Sequence, residues 1–197
     1  MKKVVIASNN PGKLRELAAL LAPLGIEAVA QSELGVTEAE EPHATFVENA
    51  LAKARHASRA TGLPALADDS GLCVPGLGGE PGVHSAYYAG ASGERAERDA
   101  RNNAKLVAAL TAGADQRAFY YCVLVLVRSA ADHTPLIAEG AWHGEIVLAP
   151  RGSGGFGYDP YFVPRGDTRT AAELGPEEKN RVSHRALAAA ALRQRLG

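Results

Sequence analysis

Ala67-Asp68-Asp69-Ser70-Gly71-Leu72 sets two adjacent carboxylates between a short apolar run, Leu63 to Ala67, and a second one, Leu72 to Val74. A strand reading of the flanks puts the pair at a strand end, where the chain meets solvent or a cleft. Neighbouring carboxylates repel, so the fold gains nothing from them unless a cation or a hydrogen-bond network compensates. Asp-Asp-Ser-Gly is also good turn chemistry, and a plain polar turn is the competing reading. The choice depends on what else in the chain could converge on this spot.

The 197 residues are 46% hydrophobic and 22% charged, which suits one globular domain, or two small lobes, with a real core. The net charge of -1 provides no basic footprint for duplex nucleic acid or an anionic membrane. Cys73 and Cys122 both lie in apolar runs and read as buried thiols, not as a disulfide framework or a metal cluster. The first apolar run is too short for a signal peptide, and the run Val123 to Val127 is far below a membrane span. A cytoplasmic protein without membrane or nucleic-acid partners is expected.

Upstream of the acidic pair, Val4 to Ala7 reads as a buried strand. Ser8-Asn9-Asn10-Pro11-Gly12-Lys13 follows, and Leu14, Leu17, Leu20 and Leu21 then recur at helical spacing until Pro23. Strand, glycine-containing loop and helix together can offer backbone N–H groups and a positive dipole end to an anion. The Gly-x4-Gly-Lys spacing of a P-loop is absent, so an ordinary strand–helix connection competes equally with phosphate binding. Glu27 to Ala30 reads as a second strand, followed by an acidic patch of Glu38, Glu40 and Glu41. Thr45-Phe46-Val47-Glu48 is a capping box, predicting a helix from Thr45 to about Ala60 with Gly62 as its stop. Asn49 and Lys53 lie on that helix, and a lone helical lysine is ordinarily a surface residue.

Downstream, the glycine-rich segment Pro75 to Gly93 is long for a connection and reads as a flap or an interface segment. Glu94 to Leu110 is an amphipathic helix expected to stop near Gly113. Phe119 to Val127, Pro135 to Trp142 and Gly144 to Leu148 read as three strands joined by short hairpins. In Gly154-Gly155-Phe156-Gly157-Tyr158-Asp159-Pro160 the glycines permit close backbone approach and Phe156 offers a stacking face. Asp159 could accept from ring or exocyclic N–H groups of a planar ligand. A flexible hairpin loop is the alternative. Thr170-Ala171-Ala172-Glu173 repeats the capping-box pattern, and Ser183 is placed to cap a last helix from His184 to Leu196. Lys179, His184 and Arg185 could there meet an anion or a carbonyl.

Taken together, these stretches resemble the Ham1/RdgB-type family of inosine triphosphate pyrophosphatases. The matching stretches are Ser8 to Lys13 with Leu14-Arg15-Glu16-Leu17, Thr45 to Ala50, Ala67 to Leu72, Gly154 to Pro160, Ala172-Glu173-Leu174, and Lys179 with Ser183-His184-Arg185. Six motifs in the family's order, from one end of the chain to the other, are specific. The resemblance implies an α/β fold with an elongated central mixed β-sheet flanked by helices. It further implies two lobes around a substrate cleft, within a single domain spanning 1–197, and a homodimer. The implied reaction converts a non-canonical purine nucleoside triphosphate (ITP, dITP or XTP) to its monophosphate and pyrophosphate with Mg2+, cleansing the nucleotide pool.

Carried over residue by residue, Asp69 resembles the general base and a metal ligand, with Glu40 or Glu41 as the further acidic ligand. Ser8, Asn9, Asn10, Pro11, Gly12 and Lys13 would hold the triphosphate, helped by Lys53. Ser70 would contact substrate. Phe156, Gly157, Tyr158, Asp159, Lys179, His184 and Arg185 would hold the base and its sugar. The chain departs from the family pattern in reading Ser-Asn-Asn where many relatives have Thr-Gly-Asn, and in Tyr87 where relatives often carry arginine. A Maf-type nucleotide pyrophosphatase shares the architecture, but Phe156 and the Ser-His-Arg helix start favour a purine enzyme. A non-catalytic nucleotide-binding regulator would not need the acidic cluster.

Overall fold

The structure, a computed structural model, describes residues 1–110 and 115–196. Six strands form one mixed sheet: β1 (Lys3–Ile6), β2 (Glu27–Ala30), β3 (Ala65–Cys73), β4 (Arg117–Val127), β5 (Leu136–Ile146) and β6 (Phe162–Pro164), in the order β2-β1-β3-β4-β5-β6. The helices are α1 (Pro11–Leu21), α2 (Phe46–Thr61), α3 (Arg95–Leu110), α4 (Pro176–Val182) and α5 (His184–Leu196). The chain divides into two compact units. The first comprises Met1–Asp69, Cys122–Gly140 and Leu187–Gly197, and the second Ser70–Tyr121 and Ala141–Ala186.

In the first unit β1 pairs in parallel with β2 and with β3, in the registers Val5↔Val29 and Val5↔Ala65. Parallel strands covered on both faces need continuous apolar sequence, and Val4, Val5 and Ile6 are at most 1% exposed. Leu17, Leu20 and Leu21 of α1 pack with Val4, Ile6, Leu66, Leu124, Leu126 and Leu192 into this unit's core. The helix starts at Pro11, three residues before the leucine pattern predicts. Pro11 has no N–H to lose at the first helical position, and Asn10 caps the turn. On α2 the expected capping box forms, with the Glu48 amide donating to Thr45 Oγ1 at 3.3 Å and Gly62 closing the helix in the left-handed conformation. Its stripe of Phe46, Ala50, Ala54 and Ala57 is buried.

The second unit's core gathers Leu72, Val74, Leu106, Leu110, Tyr120, Trp142, Ile146 and Phe162. The pattern from Pro135 to Leu148 predicts two strands, but β5 is one strand from Leu136 to Ile146. Gly144 is not a turn. It pairs with Pro164 of the antiparallel β6, and a Cβ there would lie 2.2 Å from the Val163 carbonyl oxygen. The glycine admits a close neighbour without bending the strand.

The segment from Pro75 to Gly93 is tied down rather than loose. It forms 3-10 turns over Pro75–Leu77 and Gly82–Tyr87. The Leu72 amide donates to Ser85 Oγ at 2.9 Å, and the Tyr158 hydroxyl donates to the Ser85 carbonyl at 2.8 Å. The Thr170 capping box also forms, with the Thr170 amide donating to Glu173 Oε2 at 2.7 Å, but it closes a turn and not a helix. The expected helix stop near Gly113 lies outside the described residues. No helix among the described residues is long and apolar enough to cross a membrane.

Candidate active site

The acidic pair occupies the middle of β3, not a strand end or a turn. Successive strand residues point to opposite faces, so Asp68 and Asp69 do not compete for one partner. Asp68, 1% exposed, pairs with Lys13 Nζ at 3.1 Å. Asp69, 5% exposed, accepts from Lys53 Nζ at 3.1 Å and from Asn49 Nδ2 at 3.3 Å. An ionised carboxylate is stable at such depth only when paired and hydrogen-bonded. That compensation lets two aspartates continue a strand that the sequence pattern interrupts.

Asn49 and Lys53 stand one turn apart on α2, so the capped helix presents both to Asp69. Lys53 Nζ also reaches Glu41 Oε1 at 2.8 Å, and through this one ammonium carboxylates from two separate segments converge. Glu40 and Glu41 are both exposed, and it is Glu41 that reaches the cluster. Burial pulls the Lys53 ammonium down, but Asp69, Asp68 and Glu41 together outweigh it and hold its pKa above the ordinary lysine value. Burial is also the largest influence on Asp69 and, with Glu41, holds its carboxyl above the usual range against the pull of Lys53 and Lys13. Such a carboxylate is a better proton acceptor than an exposed one.

In the Ser8–Lys13 loop Asn10 Oδ1 accepts from the Gly12 amide at 2.9 Å and the Lys13 amide at 3.3 Å. The Asn10 amide donates to Ser8 Oγ at 3.2 Å. Asn9 accepts from Gln31 Nε2 at 3.2 Å, and no non-glycine residue among those described has positive φ. Asn9 therefore occupies its position without backbone strain.

In the second unit Asp159, 2% exposed, accepts from the Tyr120 hydroxyl at 3.2 Å, from the Phe156 amide at 2.8 Å and from Lys179 Nζ. The Tyr120 ring stacks on His184 with centroids 4.9 Å apart and planes 12° off parallel. Ser183 caps α5, accepting from the Ala186 amide at 3.3 Å, which sets His184 and Arg185 in the first turn. Arg185 donates to Ser70 Oγ at 3.1 Å. The Phe156 ring is 42% exposed, with Arg95 Cζ 4.7 Å and Lys179 Nζ 4.9 Å from its centroid. Gly155 has φ +71°, and a Cβ there would lie 2.0 Å from Asp159 Oδ2. The loop's glycine is required by its approach to that carboxylate.

Apart from Glu40, the sequence-predicted residues fall into two clusters. Ser8 to Lys13, Glu41, Lys53 and Asp69 belong to the first unit. Ser70, Phe156 to Asp159, Lys179, His184 and Arg185 belong to the second. Tyr158 directs its hydroxyl to the Ser85 carbonyl, so that group already has a structural partner. The amides of Phe156 and Gly157 likewise already donate to carboxylates, those of Asp159 and Asp99. Sequence reading did not single out Tyr120, Asp99 or Asn103. Tyr120 is hidden in a β-rich apolar run, and the only signal for Asp99 and Asn103 is their spacing of four on a helix.

The chain matches the Ham1 family over residues 4–195. It is 68% identical over 195 residues to the dITP/XTP pyrophosphatase of Burkholderia pseudomallei (strain K96243), covering 99% of this chain and 93% of that protein. It is 64% identical over 196 residues to the dITP/XTP pyrophosphatase of Nitrosomonas europaea (strain ATCC 19718), covering 100% and 95%. Among solved structures, a HAM1 protein from Coxiella burnetii superposes with a TM-score of 0.91 at 46% identity, covering 100% of this chain and 98% of that one. The Staphylococcus aureus Ham1 protein superposes with a TM-score of 0.87 at 38% identity, covering 99% and 98%. The sheet order, the buried acidic pair and these full-length matches agree: the chain belongs to the Ham1 family.

Proposed function

We propose that this chain hydrolyses non-canonical purine nucleoside triphosphates, dITP, ITP and XTP, to the monophosphate and pyrophosphate, removing them from the pool used for DNA and RNA synthesis. The observation that carries the reading is Asp69, buried in mid-strand and held by Lys53 and Asn49 beside Glu41. A purely structural core has no use for that arrangement. The names of relatives at 58–68% identity support the same chemistry.

In this reading Asp69 is the general base. Its carboxylate takes a proton from water as the water oxygen bonds to phosphorus. The bridging P–O bond between the α and β phosphates breaks, and pyrophosphate leaves with the bond's electron pair. Lys13, Lys53 and the Ser8–Lys13 loop offset charge on the phosphate oxygens. Hard carboxylate oxygens from Glu41 and Asp69 suit Mg2+, which ordinarily takes one or two carboxylates and completes its shell with substrate phosphates and water. Glu41 and Asp69 would hold Mg2+, with Glu40 the alternative acidic ligand, and the ion when bound would neutralise phosphate charge and acidify the attacking water.

The base falls to the second unit. The Phe156 ring provides a stacking face, Ser70 contacts the substrate, and Tyr158, buried and bonded to the Ser85 carbonyl, holds the loop behind them. Donors from His184, Arg185 and Lys179 meet a 6-oxo group. A 6-amino group would oppose donors with donors, at about 1–3 kcal/mol for each one left unpaired. In this reading residues 1–197 are a single two-lobed domain. A cytoplasmic homodimer without a nucleic-acid partner completes the proposal, and light scattering checks the dimer.

The test is pyrophosphate release across ITP, dITP, XTP, GTP and ATP with Mg2+, for wild type and Asp69→Asn. Wild type should prefer ITP, dITP and XTP over ATP, and Asp69→Asn should lose about a hundredfold or more in kcat. Equal kcat/KM for ATP and ITP would remove the base assignment. Full activity of Asp69→Asn would remove the general base.

A further inference from the structure

We propose that Asp99 and Asn103 of α3 are positioning residues that hold the Phe156 loop in its base-reading shape, and so maintain the preference for 6-oxo over 6-amino purine nucleotides. This inference rests on the function proposed above and adds to it residues outside the ligand-facing set.

Asp99 and Asn103 are four apart and share one face of α3. Between them they grip both polar groups of a single residue. The Gly157 amide donates to Asp99 Oδ2 at 3.0 Å, and Asn103 Nδ2 donates to the Gly157 carbonyl at 2.9 Å. Gly157 has no side chain by which it could be anchored, so the helix holds its backbone instead.

The same Asp99 oxygen lies 3.9 Å from Arg95 Nε, and the Arg95 guanidinium lies over the Phe156 ring. Asp99 therefore acts on the loop twice, once through the backbone after Phe156 and once through the cation against the ring. From the other side, Asp159 holds the Phe156 amide and is itself paired with Lys179. Tyr158 adds a tie to the Ser85 carbonyl, but neither it nor Asp159 engages the Gly157 backbone.

The burial of Asn103 has a cost that needs a reason. The residue is 7% exposed, and its Oδ1 has no hydrogen-bond partner among the described residues. A buried amide with an unsatisfied acceptor is unfavourable, so its retained contact at Nδ2 has to matter. The platform does not depend on ligand, because α3 is seated in the core by Leu106 and Leu110. Site precision comes from a rigid element behind the contacting residues, and α3 is that element.

The test compares steady-state kinetics on ITP and ATP, with Mg2+, for wild type, Asp99→Ala, Asp99→Asn and Asn103→Ala, with Tm for each. Asp99→Ala should raise KM for ITP about five- to tenfold, leave kcat within about twofold, and lower the ITP/ATP ratio of kcat/KM by a similar factor. Asp99→Asn keeps an oxygen that can accept from Gly157 and should recover most of the loss. In a Phe156→Ala background Asp99→Ala should add less than about twofold, because its effect runs through that ring. A merely structural aspartate would instead give full additivity, and that result overturns the assignment, as does an unmoved ITP/ATP ratio. Should Asp99→Ala unfold, Asn103→Ala, which leaves the Asp99 bonds in place, decides the matter by the same ratio. Absence of pyrophosphate from ITP with wild type would overturn the proposed function and this inference together. An active wild type with unchanged variants overturns this inference alone.

Discussion

Replacing Lys53 by methionine tests whether one ammonium is what allows Asp69 to be buried. The side chains of Lys53 and Asp69 are 10% and 8% exposed, so the pair is largely out of water. Removing one member of a buried pair costs about 3–5 kcal/mol, because the surviving charge keeps its desolvation penalty. Asn49 still donates to Asp69, and Glu41, 40% exposed, can return to solvent, so we expect the lower end, about 3 kcal/mol. For a chain of this length that corresponds to a fall in Tm of about 6–12 °C. Thermal unfolding by circular dichroism reads it.

Two further arms of that experiment separate electrostatics from packing. Lys53→Met combined with Asp69→Asn removes the stranded charge and should recover about 2 kcal/mol relative to additivity. The pH dependence carries a definite sign. Burial already holds Asp69 above its ordinary pKa, and loss of Lys53 removes the largest opposing influence. A carboxyl raised in the folded state binds its proton there before it does in the unfolded chain, so stability rises as pH falls through the folded pKa. The deficit of Lys53→Met should accordingly narrow as pH is lowered from 8 toward 4. A Tm within about 2 °C of wild type at pH 8, with no narrowing, would refute the account of the cluster.

Two other outcomes are expected. Gly155→Ala places a methyl against Asp159 in a backbone region that favours glycine, so it should raise KM for ITP by an order of magnitude, about tenfold, and lower Tm by about 2–12 °C. Burial pushes the Cys73 thiol up to about 11, so its alkylation by iodoacetamide should be slow at pH 8 and accelerate only as pH approaches that value.

Much of the first unit is legible in the sequence because its signals are local. The limits of β2 are read residue for residue, and the Thr45 capping box with Gly62 delimits α2 within a residue. What escapes a local reading is compensation across the chain. Asp68 and Asp69 look like a strand end until Lys13 and Lys53 are placed beside them. Lys53 reads as a surface lysine until its carboxylates arrive from residues 41 and 69. Gly144 reads as a break because its neighbour, β6, is not visible from its own surroundings. The same holds for the second cluster. Phe156 and the Ser183 cap announce themselves, whereas Tyr120 gains its meaning only from Asp159 and His184, many residues away.

The Asn10 side chain gives the first loop a resident acceptor. Its amide oxygen satisfies the Gly12 and Lys13 N–H groups, so the turn is ordered before any anion comes. Under the proposed function, a phosphate oxygen seeking those two amides would have to displace the Asn10 oxygen, and the exchange would return only the difference between a charged and a neutral acceptor, roughly a factor of two in hydrogen-bond strength. The pre-ordered turn would then add little per contact, leaving Lys13 and Lys53 as the groups that repay the charge of a triphosphate.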